Sequence, residues 1–252
     1  MPEYKDYRKQ KVDVMQKVEA ADAESIPMKV IAYIHTDFPT KFGIPRQSGI
    51  VGELKSTIVF EPEYRNPDAL RGIEGFTHIW LIWAFSETKR DTWSAMVRPP
   101  RLGGVKKMGV FATRSPFRPN SIGLSSVKLD KVELYTELGP VLYVSGADLM
   151  DHTPIYDIKP YLPYTDSHPE AIGGFADPVK SYALEVIFPD KWLSMIPEDR
   201  REALMGVLAH DPRPAYQDDP ERIYGFEFCG FDVRFIVKDR MLIIYEIVML
   251  EP

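Results

Sequence analysis

Thr77-His78-Ile79-Trp80-Leu81-Ile82-Trp83-Ala84-Phe85 is a near-continuous apolar run flanked by Gly75 and Ser86. A short run of this kind, rich in aromatic and branched side chains, suits a strand covered on both faces. It is far too short to cross a bilayer. Further strand signals lie on either side of it, at Val30 to His35, Thr57 to Phe60, Gly109 to Thr113, Leu124 to Leu134 and Val141 to Ser145. Tyr135-Thr136-Glu137-Leu138-Gly139-Pro140 joins the last two as a hairpin signal. Pro67-Asp68-Ala69-Leu70-Arg71, stopped by Gly72, reads as a short helical turn. Many strands, few helices and proline-rich connections point to a mainly β fold, a barrel or a sandwich.

Outward from this core the chain divides into three parts. Residues 1–29 read as an appendage, with Val12, Met15 and Val18 at the spacing of a short surface helix and Ala20 to Pro27 as a linker. Residues 30–172 form the β domain, turning irregular from Asp148 to Tyr164. Gly173-Gly174 and Pro178 mark the boundary to a small α+β domain, residues 173–252. There, Tyr182 to Phe188 is a strand and Pro197 to His210 a helix. Ile196, Leu204, Val207 and Leu208 lie on its apolar side, and Glu198-Asp199 stand where the helix dipole favours them. Ile223 to Phe228, Asp232 to Val237 and Met241 to Leu250 are strands, the last two turning near Asp239.

The 252 residues, 44% hydrophobic and 27% charged, have the composition of a soluble globular protein. No basic start, apolar core and cleavage site opens the chain, so no signal peptide and no membrane partner are expected. Cys229 is the single cysteine, which excludes an internal disulfide and a cysteine-based zinc cluster and fits a reducing cytoplasm. The net charge of −6 argues against a general nucleic-acid binder. Lys89, Arg90, Arg98, Arg101, Lys106, Lys107, Arg114 and Arg118 nevertheless face only Asp91 in one short segment. A local basic patch on an acidic body can still hold a polyanion, unless folding scatters the charges.

Several chemistries are absent. There is no G-x-G-x-x-G, and Gly104 to Gly109 continues with Val110-Phe111 where a phosphate-binding loop needs Lys and Ser or Thr. Gly123-Leu124-Ser125-Ser126-Val127 is not a nucleophile elbow. The five histidines are dispersed. A metal site from Asp148, Asp151, His152 and Asp157 is the lesser reading, because Asp and His in turns usually cap backbone groups; no metal is expected. Four polar loops marked by proline or glycine remain: Thr36 to Arg46, Arg98 to Gly104, Thr113 to Gly123 and Asp148 to Tyr164. In the third, Pro116 and Pro119 stiffen a segment carrying Arg114 and Arg118, which suits carboxylate or phosphate recognition; two ordinary surface arginines are equally consistent.

The stretch from about Ile31 to Tyr164 resembles the TsaA-like family. The resemblance rests on Pro45-Arg46-Gln47, Arg71-Gly72-Ile73-Glu74, Thr77-His78-Ile79-Trp80, Arg98-Pro99-Pro100-Arg101-Leu102-Gly103-Gly104, Gly109 to Gly123 and Asp157 to Tyr164. Ala209-His210-Asp211-Pro212-Arg213-Pro214-Ala215-Tyr216 is similar to an element of bacterial members. The resemblance implies a single-sheet β-barrel acting as a homodimer. It implies an S-adenosylmethionine-dependent methyltransferase whose substrate is N6-threonylcarbamoyladenosine, next to the anticodon in a tRNA anticodon loop. It places the cofactor on Thr36, Asp37, Phe38, Arg114, Leu124, Asp151, His152, Thr153 and Pro154, and near Ser86-Glu87. The chain departs from the family where Thr36-Asp37 replaces Ser-Pro and where Ser86-Glu87 replaces His followed by Lys or Gln. It departs again at His152, which replaces a backbone-permissive Gly.

On this reading Arg114 holds a carboxylate or ribose oxygen, and Asp151 an amino group or ribose hydroxyl. Asp151 is also the expected acceptor of the proton that the target nitrogen must lose. Arg98, Arg101, Lys106, Lys107 and Arg118 are expected on phosphates, and Phe117 or Tyr161 against the target base, a core role for either aromatic being equally consistent. Arg213 and Tyr216 suit either the substrate surface or a structural role. The competing readings are a non-catalytic RNA-binding barrel and a methyltransferase of the same fold acting on another substrate.

Overall fold

The structure, a computed structural model, describes residues 26–88, 92–99, 106–179, 182–213 and 219–251. The expected N-terminal surface helix, Arg101 and Tyr216 lie outside the described residues.

Six antiparallel strands close into a barrel: β1 (Ala32–His35), β2 (Lys55–Phe60), β3 (His78–Ala84), β6 (Ile122–Thr136), β7 (Gly139–Ser145) and β8 (Thr153–Pro160). Their order around the barrel is β1-β2-β7-β6-β3-β8, with β8 returning to β1. Outside it, β4 (Met96–Val97) and β5 (Met108–Gly109) pair as a two-stranded ribbon. A barrel of this size fills its interior with side chains. Ile34, Ile58, Ile79, Leu81, Leu142, Val144 and Ile155 do so here, each 0% exposed. Strand patterning left barrel and sandwich open and the family resemblance implied a single-sheet barrel; closure of β8 onto β1 shows the barrel.

The apolar run that anchors the reading becomes β3, but its two faces differ. Ile79, Leu81 and Trp83 point into the core, whereas Trp80 and Ile82 are half-buried. The outer face is covered by Tyr161, whose ring lies 5.5 Å from that of Trp80, and by the short helix α1 (Pro163–Asp166). Trp80 Nε1 donates to Asp166 Oδ2 at 2.9 Å.

Two expectations fail. Asp148 to Tyr164 is not irregular throughout, because Thr153–Pro160 is a barrel strand. Pro154 lies beyond the last partner on β3 but opposite Tyr33 of β1, and Pro160 is the final residue paired with β3. Gly109 to Thr113 is not a strand. After β5, Val110–Ala112 forms a 3-10 turn closed by Thr113, whose N–H and hydroxyl both donate to the Val110 carbonyl. Val110 alone is buried, while Phe111 and Ala112 face solvent.

The C-terminal region is a four-stranded sheet of order β10-β11-β12-β9, from β9 (Glu185–Ile187), β10 (Tyr224–Phe228), β11 (Phe231–Lys238) and β12 (Met241–Met249). Asp239 (φ 49°) and Arg240 (φ 66°) make the tight turn of the expected β11–β12 hairpin. After the short helix α2 (Asp190–Leu193), helix α3 (Glu198–Ala209) buries Ala203, Leu204, Val207 and Leu208. This second core also contains Phe38, Val51 and Leu54, all from the long β1–β2 loop. The C-terminal sheet therefore grips that loop. A β-carbon on Gly43 (φ 84°) would lie 2.2 Å from the Phe226 ring.

Candidate active site at one rim of the barrel

The rim where β1, β3 and β7 end and β2, β6 and β8 begin opens into a cavity of about 470 Å³. That volume is in the usual range for a small-molecule site. Five chain segments line it. They are Lys41 with Ile44 to Gln47 of the gripped loop, Trp83 to Glu87 at the end of β3, Ile122 to Leu124 at the start of β6, Arg114 with Pro116, and Asp148, Met150 and Thr153 in the β7–β8 turn. Three of the four proline- or glycine-marked loops thus converge.

The Arg114 loop is stiffened by its own polar groups. Arg118 Nη1 donates to the carbonyls of Thr113 (3.1 Å) and Ser115 (3.4 Å), and Ser121 Oγ donates to the Pro116 carbonyl at 3.0 Å. Arg114 Nη1 donates to Gln47 Oε1, tying this loop to the gripped one across the cavity mouth. Deeper in, Trp83 Nε1 donates to Ser125 Oγ at 3.0 Å, and Ser125 Oγ donates to Asp148 Oδ1 at 2.6 Å. Burial pushes the Asp148 carboxyl above the ordinary range. The Ser125 hydroxyl, backbone N–H groups and the Arg114 charge oppose that rise without cancelling it.

Residues 33–167 match the tRNA-methyltransferase O N-terminal domain, and residues 182–250 match the TrmO C-terminal domain. The chain belongs to the TrmO family. The tRNA (adenine(37)-N6)-methyltransferase of Escherichia coli K12 is 38% identical over 236 residues, covering 90% of this chain and 99% of that one. The protein of the same name from Eikenella corrodens is 46% identical over 177 residues, covering 70% of this chain and 99% of its own. The crystal structure of TrmO from Pseudomonas aeruginosa matches with a TM-score of 0.71 at 30% identity, over 89% of this chain and 100% of that one. The barrel and the C-terminal sheet are therefore the TrmO architecture.

Within this TrmO-family rim the expected cofactor residues separate. Ser86, Glu87, Arg114, Leu124 and Thr153 line the cavity. Thr36, Asp37, Phe38, Asp151, His152 and Pro154 do not. Phe38 is 1% exposed and packs on Phe228 at 5.3 Å, because the loop turns its apolar side to the C-terminal core. Asp37 Oδ2 lies 3.1 Å from Arg200 Nε on α3, an ion pair without hydrogen-bond alignment. Thr36 braces the β7–β8 turn, its Oγ1 donating to the Leu149 carbonyl (3.2 Å) and its N–H to Asp151 Oδ1 (3.0 Å). Pro154 is inside β8, opposite Tyr33.

His152 adopts φ 57°, the left-handed backbone that glycine takes freely. Its ring meets His35 edge-on at 4.7 Å, with Asp151 3.5 Å from each imidazole. Among the described residues, His35, Asp151 and His152 form the group able to ligate a metal; Asp148 and Asp157 do not join it. Asp157 instead pairs with Lys159 at 2.9 Å.

Of the expected RNA contacts, Arg98, Lys106 and Lys107 are exposed, while Arg118 is largely spent on its own loop. Phe117 is half-buried and Tyr161 packs on Trp80, which favours the core role for Tyr161. The exposed aromatic pair is Trp93 with Phe111, 6.1 Å apart and stacked, with the Arg118 guanidinium 6.0 Å from the Phe111 ring. Sequence reading had placed Phe111 in a strand. Arg213 is 9% exposed and forks onto Asp211 through Nε and Nη2, each at 2.8 Å, which is a structural role. Sequence reading also gave no cavity role to Trp83, Gln47 or Asp148. Gln47 stood inside the quoted Pro45-Arg46-Gln47 motif and Asp148 in the discarded metal group, so a signal existed for both.

Proposed function

We propose that this chain is an S-adenosylmethionine-dependent methyltransferase acting on N6 of adenosine 37 in tRNA, with N6-threonylcarbamoyladenosine as the substrate form. Relatives at 38% and 46% identity over nearly their whole length carry the tRNA (adenine(37)-N6)-methyltransferase name. The observation that carries the reading is the mixed character of the rim cavity. Trp83, Ile122, Leu124 and Met150 offer apolar wall beside Arg114, Glu87 and Asp148. This set fits a ligand with an aromatic base, an amino-acid head and a cationic centre. Arg114 would hold a carboxylate or ribose oxygen, Glu87 would face positive charge, and Leu124 would cover the base.

The cofactor, when bound, supplies an activated methyl group. The protein's task is to align the acceptor nitrogen, exclude water and remove a proton, and alignment alone is worth up to about 7–11 kcal/mol in well-oriented systems. Exposed Lys106, Lys107 and Arg98 would meet phosphates of the anticodon stem-loop. The aromatic pair Trp93 and Phe111, flanked by Arg118, offers a stacking surface for an unpaired loop base. A homodimer and a cytoplasmic location belong to the same reading.

Calorimetric titration with S-adenosylmethionine is expected to give saturable binding; no heat at millimolar cofactor would remove the enzyme reading. Labelled cofactor is then expected to mark tRNA carrying the threonylcarbamoyl group and not tRNA lacking it. Equal labelling of both would make the substrate plain adenosine 37. Sedimentation at micromolar concentration tests the dimer, and a monomer throughout would strike it from the proposal.

A further inference from the structure

We propose that Asp148, rather than Asp151, is the catalytic residue that takes the proton from the acceptor nitrogen. This rests on the methyl-transfer reading above. Asp148 lines the cavity and Asp151 does not. Asp151 is engaged elsewhere, one oxygen accepting the Thr36 N–H and both lying beside imidazoles.

The surroundings of Asp148 make it an acceptor. A serine hydroxyl has one proton to give. Because Ser125 Oγ accepts from the Trp83 indole, its own proton is turned to Asp148 Oδ1. The chain Trp83–Ser125–Asp148 therefore favours the carboxylate form and fixes its orientation, as a general base requires. The charged groups facing the same space are Arg114, Lys41, Arg46 and Glu87. Arg114 favours the ionised form, while burial keeps it more basic than an exposed carboxylate.

The chemistry balances as follows. The acceptor nitrogen is bonded to a carbonyl carbon and is a poor nucleophile while protonated. Its N–H bond breaks toward the Asp148 carboxylate, and the freed electron pair forms the bond to the methyl carbon. The carbon–sulfur bond breaks with its pair going to sulfur, leaving a neutral thioether. Protonated Asp148 returns its proton to water after product leaves.

The test compares wild type, Asp148→Asn and Asp148→Glu in single-turnover methyl transfer to threonylcarbamoylated tRNA across pH. Asp148→Asn is expected to slow transfer by about 10²–10⁴-fold, with cofactor affinity within about threefold of wild type. The wild-type rate should fall on the acid side, Asp148→Asn should lack that limb, and Asp148→Glu should recover part of the rate. A second readout does not depend on activity. The Trp83 indole ¹⁵N–¹H resonance should titrate through Ser125 at the pH of the acid limb in wild type, and not in Asp148→Asn. Even if that variant fails to fold, a wild-type profile with no acid limb, or an indole that titrates elsewhere, overturns the proposal. Active wild type with equally active Asp148→Asn overturns it alone, as does a variant that loses cofactor binding but keeps the bound rate. A wild type that methylates no tRNA overturns the functional reading and this proposal with it.

Discussion

A β-carbon built on Gly123 would sit 2.2 Å from Trp83 Cε2, and the two residues are register partners across β3 and β6. The indole thus occupies the space a side chain at 123 would need. It is held there to wall the cavity and to donate to Ser125.

Gly123→Ala is expected to displace Trp83 and cost about 1–3 kcal/mol by overpacking. Urea unfolding followed by tryptophan fluorescence measures the loss, and cofactor titration should show weaker binding in the folded variant. Unchanged stability and affinity together would mean that the indole has room to move.

Arg114→Ala should weaken cofactor binding by about tenfold or more, the scale of losing a charge-assisted hydrogen bond. Arg114→Lys should recover little, since an ammonium cannot reproduce the guanidinium fork. Equal cofactor affinity in wild type and Arg114→Ala would argue against the assignment.

Lys106→Ala with Lys107→Ala should leave cofactor affinity alone, because neither lysine lines the cavity. Affinity for tRNA should fall, and the slope of log affinity against log salt should shrink by roughly one to two. Measurements at a single salt concentration would miss the second effect.

Asp37 is expected to serve the fold. Burial raises its carboxyl above the ordinary aspartate value, only partly offset by Arg200. For a raised carboxyl, the stabilising contribution is full below that value and is lost as pH rises through the folded pKa. The stability of wild type minus that of Asp37→Asn should therefore decline with rising pH over that window in chemical denaturation. Cofactor affinity should not change, and a large loss would return Asp37 to the site.

Asp211 behaves in the opposite sense. Burial opposes its charge, but hydrogen bonds and charge from Arg213 hold the carboxyl below 3.8. Its contribution is present above that value and lost as pH falls through the folded pKa. Asp211→Asn should destabilise by about 3 kcal/mol at neutral pH, since it removes the carboxylate on which the buried Arg213 guanidinium forks. The gap from wild type should narrow in acid.

Much of the fold was legible because strand and turn signals are local. The hairpin at Tyr135 to Pro140 and the turn at Asp239 needed only neighbouring residues. Residues 153–160 were missed because their strand exists only through pairing with β1 and β3, which are distant in the chain. Phe111 misled because the ribbon with β4 ends at Gly109 and only Val110 of the following turn is buried. At the site, Arg114, Leu124, Ser86, Glu87 and Thr153, expected on the cofactor, line the cavity, whereas Phe38 packs in the C-terminal core and Asp37 pairs with Arg200.

The sequence by itself determined most of the strands, the C-terminal helix and hairpin, the stiff arginine loop and membership of the family, since these reside in periodicity, turn chemistry and motif order. Only the tertiary structure decided that β8 closes the barrel, that the C-terminal sheet grips the β1–β2 loop, and that Asp148 rather than Asp151 faces the cavity. Those facts depend on which residues distant in the chain share a wall. Burial and desolvation, which distinguish one aspartate from another, exist only after that wall is built.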